Sequence, residues 1–233
     1  MIVLCLLLNI EMEATIDSLE TLLDQNPQIQ IVLELNKCYL RTGNYTSGIH
    51  LLLEYEKNFN PEEKSVIRFT IGDNYFFAGK MLEAREEYLK LVSRFPQSQV
   101  ANDALERLYL IEFARKDTVL LKRLAHAIYL YEIKEFDSAD DSLKHLLKTT
   151  IGPHAYYYLA LLYKSNDDLP QALSALEELN ENFPEHKIHN AILLIAQIHL
   201  HLDNRKEAQK ILEDLIIKEP TSIYAARARQ MLK

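Results

Sequence analysis

The sequence predicts an all-α fold of stacked antiparallel helix pairs. Three observations predict it: small residues and prolines recur at a fixed spacing, apolar residues recur every three or four positions between them, and turn residues separate the apolar runs. Ala84 has Gly72 twelve residues before it and Pro96 twelve after it. Ala172 has Ala160 and Pro184 at the same offsets, and Ala208 has Ala196 and Pro220. Ala139 keeps Ala127 upstream but has Ile151 in the proline slot, with Gly152 and Pro153 behind it. Gly48 marks the weakest copy, with Asn36 upstream and Pro61 one place late. The marks are separated by 36 (48 to 84), 55 (84 to 139), 33 (139 to 172) and 36 (172 to 208) residues. Only five glycines, no tryptophan and an apolar fraction of 48% suit an all-helical chain.

The best-formed copy runs from Ile71 to Ser98. Tyr75 and Phe76 end one apolar face, Gly79 makes a turn, and Ala84, Tyr88, Leu91 and Val92 form a second face that Pro96 stops. Neither helix can bury its stripe alone, so each pair needs neighbours. An Ala or Gly on each helix lets the two backbones cross closely. Leu at Ala84 or Ala172 would overpack the crossing by roughly 1–3 kcal/mol.

These residues resemble the tetratricopeptide repeat. The likeness lies in Gly72, Tyr75, Gly79, Ala84 and Pro96, then Tyr156, Leu159, Ala160, Tyr163, Ala172 and Pro184, and last Ala196, Ala208, Leu212 and Pro220. The resemblance covers about residue 29 to the end. It implies a right-handed α-solenoid of about five such repeats, plus an extra mid-array helix and terminal helices.

In chain order, TIDSLETLLDQNP reads first as a helix capped by Thr15 or Asp17 and stopped at Asn26-Pro27. It resembles the second helix of a repeat without its first, hence a terminal lid. Residues 29–42 and 45–59 form a pair around Thr42-Gly43-Asn44, and 62–78 and 81–95 form the next, with Pro61 near the helix start where its missing donor costs nothing. The 55-residue gap requires one more helix, 99–114, with Ala101, Leu105, Leu108 and Ile111 at helical spacing. Arg115-Lys116-Asp117-Thr118 breaks the chain, Thr118 caps the next helix, and a further repeat starts near Leu120. Helices over 136–148, 152–165, 169–182, 187–201 and 205–218 continue the array, and 222–232 caps it. The expected organisation is a half at 15–114 that includes the extra helix, and a second half at 118–233. Residues 95–108 and 219–232 share the pattern P-x-S-x-x-A-x-x-A-x-x-x-[LM], in which Pro ends one helix and Ser caps the next. That ending resembles bacterial cell-envelope tetratricopeptide proteins, the outer-membrane barrel-assembly lipoproteins and the Tol–Pal coordinators.

Residues 1–14 carry the run IVLCLLLNI, far short of the ~20 residues of a transmembrane helix. It fits the apolar region of a secretory signal with Ala14 as the cleavage position, although no Lys or Arg precedes it and Met12 and Glu13 are poor neighbours for cleavage. The competing reading is an ordinary helix over the first repeat. Cys5 and Cys38 make no metal pattern, and a bridge between them requires residue 5 in the mature chain. Cys38, between apolar neighbours, reads as a small buried hydrophobe. No integral membrane span is expected.

Net charge is −8 and no basic stripe offsets it, which counts against nucleic acid. No nucleophile elbow or glycine-rich phosphate loop occurs, so neither enzyme activity nor a cofactor is expected. His186, His189, His199 and His201 crowd one segment, but His199 and His201 point to different helix faces, so no metal site is expected.

By the family resemblance, the first helix of each repeat lines a partner-binding groove. The slots hold Leu33, Lys37 and Leu40; Phe69, Asp73, Phe76 and Phe77; Leu124, Ile128 and Tyr131; His154, Tyr157, Leu161 and Lys164; Leu193, Gln197, Leu200 and His201. Family members that clamp a chaperone tail use Lys and Asn at fixed slots, where this chain has Leu33 and Lys37. The groove is instead aromatic and aliphatic, which suits a peptide or helix segment of a protein partner. The resemblance thus implies a non-catalytic scaffold in the periplasm or cell envelope, with a cytoplasmic adaptor or secretion-chaperone-like protein as the alternative. The aromatics have a second reading as core, since aromatic stripes at helical spacing usually pack internally.

Overall fold

The computed structural model describes the backbone of residues 2–233 and the side chains from residue 12 onward. The reading of residues 1–14 as a signal segment, and Cys5 with its bridge to Cys38, fall largely outside those described residues. Among the described residues there are thirteen α-helices, one 3-10 turn and no strand.

The chain divides into two compact units, residues 1–116 and 117–233. Unit 1 contains α1 (Ile2–Gln25), α2 (Ile29–Arg41), α3 (Tyr45–Tyr55), α4 (Pro61–Phe77), α5 (Met81–Arg94) and α6 (Ala101–Phe113). Within it α2 pairs with α3 and α4 with α5, while α1 lies on α2 and α6 closes the stack against α5. Unit 2 contains α7 (Thr118–Glu132), α8 (Phe136–Lys144), α9 (Gly152–Ser165), α10 (Leu169–Asn182), α11 (His189–His201), α12 (Arg205–Lys218) and α13 (Ile223–Met231). Here α7/α8, α9/α10 and α11/α12 pair, and α13 closes the stack against α11 and α12.

Four local expectations change. Thr15 and Asp17 do not cap a helix, because α1 runs unbroken through them; no Gly or Pro interrupts residues 2–25. The cap of α7 is Asp117, whose carboxylate accepts from Leu120 N at 3.0 Å, and Thr118 is the first helical residue. The segment predicted as helix 136–148 leaves α-geometry after Lys144. Ser98 does not cap the helix after Pro96. There the Glu62 carboxylate accepts from Gln99 N at 3.0 Å, α6 starts only at Ala101, and the Ser98 hydroxyl is left buried without a partner. Ser222, at the matching position, does cap: its hydroxyl accepts from Ala225 N at 3.0 Å.

The five turns inside the helix pairs share one geometry. Each places one residue at positive φ: Gly43 (70°), Gly79 (72°), Lys134 (68°), Asp167 (61°) and Asp203 (57°). The next N–H reaches back to a carbonyl five residues earlier, as in Lys80 N to Tyr75 O (2.9 Å) and Asn204 N to His199 O (2.8 Å). This double-bonded ending satisfies helix carbonyls that would otherwise lack a donor. Gly marked two of these turns in the sequence, and the helix breaks at 166–168 and 202–204 marked two more, but positive φ at the non-glycine Lys134, Asp167 and Asp203 was not foreseen.

The small slots are all buried: Ala84, Ala127, Ala139, Ala160, Ala172, Ala196 and Ala208 have no exposed surface. At Gly72 the fit is tight, since a Cβ there would lie 2.5 Å from Cε1 of Tyr88. The weak first copy has its own solution. Asn36 fills the slot that Gly or Ala holds elsewhere, and a Cβ on the facing Gly48 would lie 2.4 Å from its Oδ1. Its buried amide pairs with that of Asn74 on α4, Asn74 Nδ2 donating to Asn36 Oδ1 at 2.7 Å. A buried amide needs such a partner.

Cys38 is a buried thiol, and burial pushes its pKa up. On α4, Arg68 binds both carboxylate oxygens of Glu56 and one of Glu87, the last at 2.9 Å. Burial alone would raise Glu87, but hydrogen bonds from Lys90 and Arg68 outweigh it and hold the carboxyl below its usual range. These paired acids therefore serve as ion-pair partners inside unit 1.

Candidate functional site

The first helices of the pairs position every groove residue named from the sequence, and the two units treat them differently. In unit 1, Lys37 is exposed and bonds Glu34 on its own helix at 2.5 Å. Leu33 packs half-buried against the unit's core, and Leu40 is buried. Phe76 has no exposed surface, Phe77 is buried, and Phe69 is half-buried with its ring 5.8 Å from that of Tyr88.

Asp73, the polar member of that set, is taken up by the closing helix. Arg107 on α6 donates through Nε to Asp73 Oδ1 at 2.9 Å, and Tyr88 donates its hydroxyl to the same oxygen. The guanidinium also lies 5.4 Å from the centroid of the Phe76 ring, and Arg107 is itself buried. Phe76, Phe77 and Leu40 are thus core, because helices packed beside α2 and α4 cover the stripe they occupy.

In unit 2, Leu124, Ile128 and Leu193 are also buried and form the floor. Above that floor the remaining residues come together. Tyr131 on α7 meets Ser165 on α9, hydroxyl to hydroxyl at 3.0 Å. Lys164 on α9 donates to Gln197 Oε1 on α11 at 3.0 Å. These two contacts tie α7, α9 and α11 side by side. Tyr157 and Leu161 are half-buried, Leu200 is 39% exposed, and Gln197 and His201 are exposed. Tyr157 packs edge-on against Tyr158, with centroids 5.4 Å apart. These helices thus present Tyr157, Leu161 and Leu200 together with the polar Lys164, Gln197 and His201, and the Lys164–Gln197 bond joins α9 to α11 among them.

His154 sits half-buried at the start of α9. Burial, with repulsion from His186, pushes its pKa down to about 4, so the imidazole is neutral at pH 7. Ser165 was missed in the sequence, yet its spacing of eight from Tyr157 and four from Leu161 puts it on the same stripe.

The crowded histidines do not converge. His189 bonds Glu219 at 2.6 Å and stacks on Tyr224 at 4.7 Å, while His201 is exposed. Among the described residues no group of three His, Cys, Asp or Glu side chains could hold a metal ion. No described helix is long and apolar enough to cross a membrane.

The family model described as tetratricopeptide repeat matches residues 68–98, 154–186 and 190–222, which span α4–α5, α9–α10 and α11–α12. A search of curated proteins finds no match. Among solved structures, the chain is similar to the TPR2AB domain of yeast Sti1 in its pHSP90 complex, at 14% identity over 94% of this chain and 88% of that one, with a TM-score of 0.42. It is also similar to PilW, described as a widely conserved type IV pilus biogenesis factor, at 18% identity over 88% and 98%, with a TM-score of 0.43. MamA from Desulfovibrio magneticus RS-1 is similar at 15% identity over 84% and 97%, with a TM-score of 0.40.

Proposed function

We propose, from the premise that this chain is a tetratricopeptide-repeat protein, that it is a non-catalytic scaffold holding a peptide or helix segment of a partner protein. The contact face is that of α7, α9 and α11. One observation carries the reading: in unit 2 Tyr157 and Leu161 are half-buried and Leu200 is exposed, with Lys164, Gln197 and His201 on the same helices, whereas Leu40 and Phe76, the unit 1 residues at the Leu200 slot, are buried. A face that mixes apolar and polar side chains fits an amphipathic segment, its apolar groups toward Tyr157, Leu161 and Leu200 and its polar groups toward Lys164 and Gln197.

The test is a crosslinking pull-down from the native cells with the full chain and with a Tyr157→Ala, Leu200→Ala variant, read beside thermal melting. Specific partners should fall away from the variant while its melting stays close to the parent. Lost melting stability with unchanged capture would make these residues core and defeat the reading.

For the setting, the apolar run at residues 2–10 and the two Pro-x-Ser endings support the bacterial cell envelope. A cytoplasmic adaptor or secretion-chaperone-like protein is the second reading. What favours it is that cleavage after Ala14 would cut inside α1, a helix that continues to Gln25 and packs on α2. Fractionation with sequencing of the mature N-terminus separates the two; an intact Met1 in the cytoplasm sinks the envelope setting.

A further inference from the structure

Unit 2 has a second concavity outside the α7–α9–α11 face, in the seam between α7 and α8. Its volume is about 600 Å³, and Val119, Lys122, Arg123, His126, His145 and Leu146 line it. That size is typical of ligand sites. The chemistry is unusual for this chain. The molecule carries −8 overall, yet no acidic residue is among the described residues that line this pocket.

Lys122 and Arg123 are adjacent and exposed, and neither forms an ion pair among the described residues. His145 is oriented by its own helix: Nδ1 lies 2.6 Å from the Asp141 carbonyl, which can only accept, so Nδ1 carries the proton. The apolar part comes from Leu146, which is buried, and Val119, which is 61% exposed. An exposed β-branched residue beside two cations is a surface suited to an amphiphilic anion.

We propose that this pocket binds an acidic peptide segment of a partner, with a carboxylate between Lys122 and Arg123 and a neighbouring aliphatic side chain over Val119 and Leu146. Charge complementarity selects the occupant. Acidic chains are repelled by the molecule as a whole and attracted at this seam, so binding there is specific by location. The apolar walls favour a peptide over a bare anion.

The test uses a fluorescein-labelled eight-residue peptide of alternating glutamate and leucine, read by fluorescence anisotropy against the full chain. A peptide with lysine in place of glutamate is the control, and inorganic phosphate is the competitor. The acidic peptide should bind and the basic one should not. Lys122→Gln with Arg123→Gln should weaken binding about tenfold or more, as expected for losing charge-assisted contacts. Both positions are exposed, and melting verifies that the variant is folded. Val119→Glu should weaken binding through a different contact. Tyr157→Ala, on the other face, should leave this affinity unchanged, so failure here is distinguishable from failure of the α7–α9–α11 reading. Equal binding of the basic peptide, an affinity indifferent to Lys122 and Arg123, or full displacement by millimolar phosphate would overturn the proposal.

Discussion

The last helix pair of each unit, with the helix that closes it, can be laid over the other by a constant shift of 124 residues. Pro96 then falls on Pro220, Gly72 on Ala196, Tyr88 on Leu212, and the Pro-x-Ser endings coincide. The groove slots align as well: Asp73 with Gln197, Phe76 with Leu200, Phe77 with His201. Their fates diverge, for Phe76 is fully buried while Leu200 is 39% exposed. One position on the closing helix differs with it. Arg107 on α6 reaches Asp73 and lies over the Phe76 ring. Its counterpart on α13 is Met231, which packs with Leu193, Ala196 and Leu212 and asks nothing of Gln197. The closing helix of unit 1 thus engages Asp73 and Phe76 through Arg107, and Met231 of unit 2 makes no such polar contact.

The largest test of that contrast is to give α6 the residue of α13. Arg107→Met strands the carboxylate of Asp73 in a poorly hydrated site and should lower stability by about 2–4 kcal/mol in urea unfolding. Adding Asp73→Gln, the unit 2 pairing, should recover most of it. If the single variant costs less than about 1 kcal/mol, the Arg107–Asp73 contact does not hold α6 in place.

A second test assigns acid sensitivity to unit 2. His154 titrates near 6.5 when unfolded and near 4 in the fold, so between those values the unfolded chain binds the extra proton. Stability should be level above pH 6.5 and fall as pH drops toward 4, by about 2 kcal/mol at pH 4.5. Comparing unfolding at pH 7 and 4.5 for the parent and for His154→Gln checks the sign: the variant should lose the slope due to this group.

The helix crossings should differ next. Gly72→Ala pushes a methyl into the Tyr88 ring, with only 2.5 Å available, and should cost about 1–2 kcal/mol despite the better helix propensity of Ala. Tyr88→Leu in that background recreates the Ala196–Leu212 crossing and should relieve the clash, though it gives up the hydroxyl that Asp73 accepts. An undiminished melting temperature for Gly72→Ala would show that the ring shifts freely.

The smallest effect concerns the turns. Both unit 1 turns use Gly at positive φ, whereas unit 2 uses Lys134, Asp167 and Asp203. Lys134→Gly should stabilise by about 0.5–1 kcal/mol, the relief of left-handed strain exceeding the added unfolded-state freedom. A loss of stability would mean that the Lys134 side chain contributes contacts that offset its backbone strain.

Most of the fold was legible because its determinants are local. The period-twelve small residues, the terminating prolines and the apolar spacing placed the helices of every pair within a few residues of where they lie. Asn36 looked like a defect in that pattern until the structure supplied Gly48 across from it and Asn74 beside it. The Ser98 cap failed for a similar reason, because Glu62, thirty-seven residues before Gln99, bonds the turn instead. For the candidate site, the slot residues were named from spacing, but spacing alone treats Phe76 and Leu200 alike.

By itself the sequence determined that this chain is helical, paired and repeated, since side-chain size and hydrophobic period act between residues a few positions apart. Which groove slots stay open was decided only in the tertiary structure. The Arg107–Asp73 contact joins residues thirty-four apart on helices that do not follow one another, and the exposure of Tyr157, Leu161 and Leu200 depends on what fails to cover them. Burial of that kind belongs to the assembled stack and is written in no single helix.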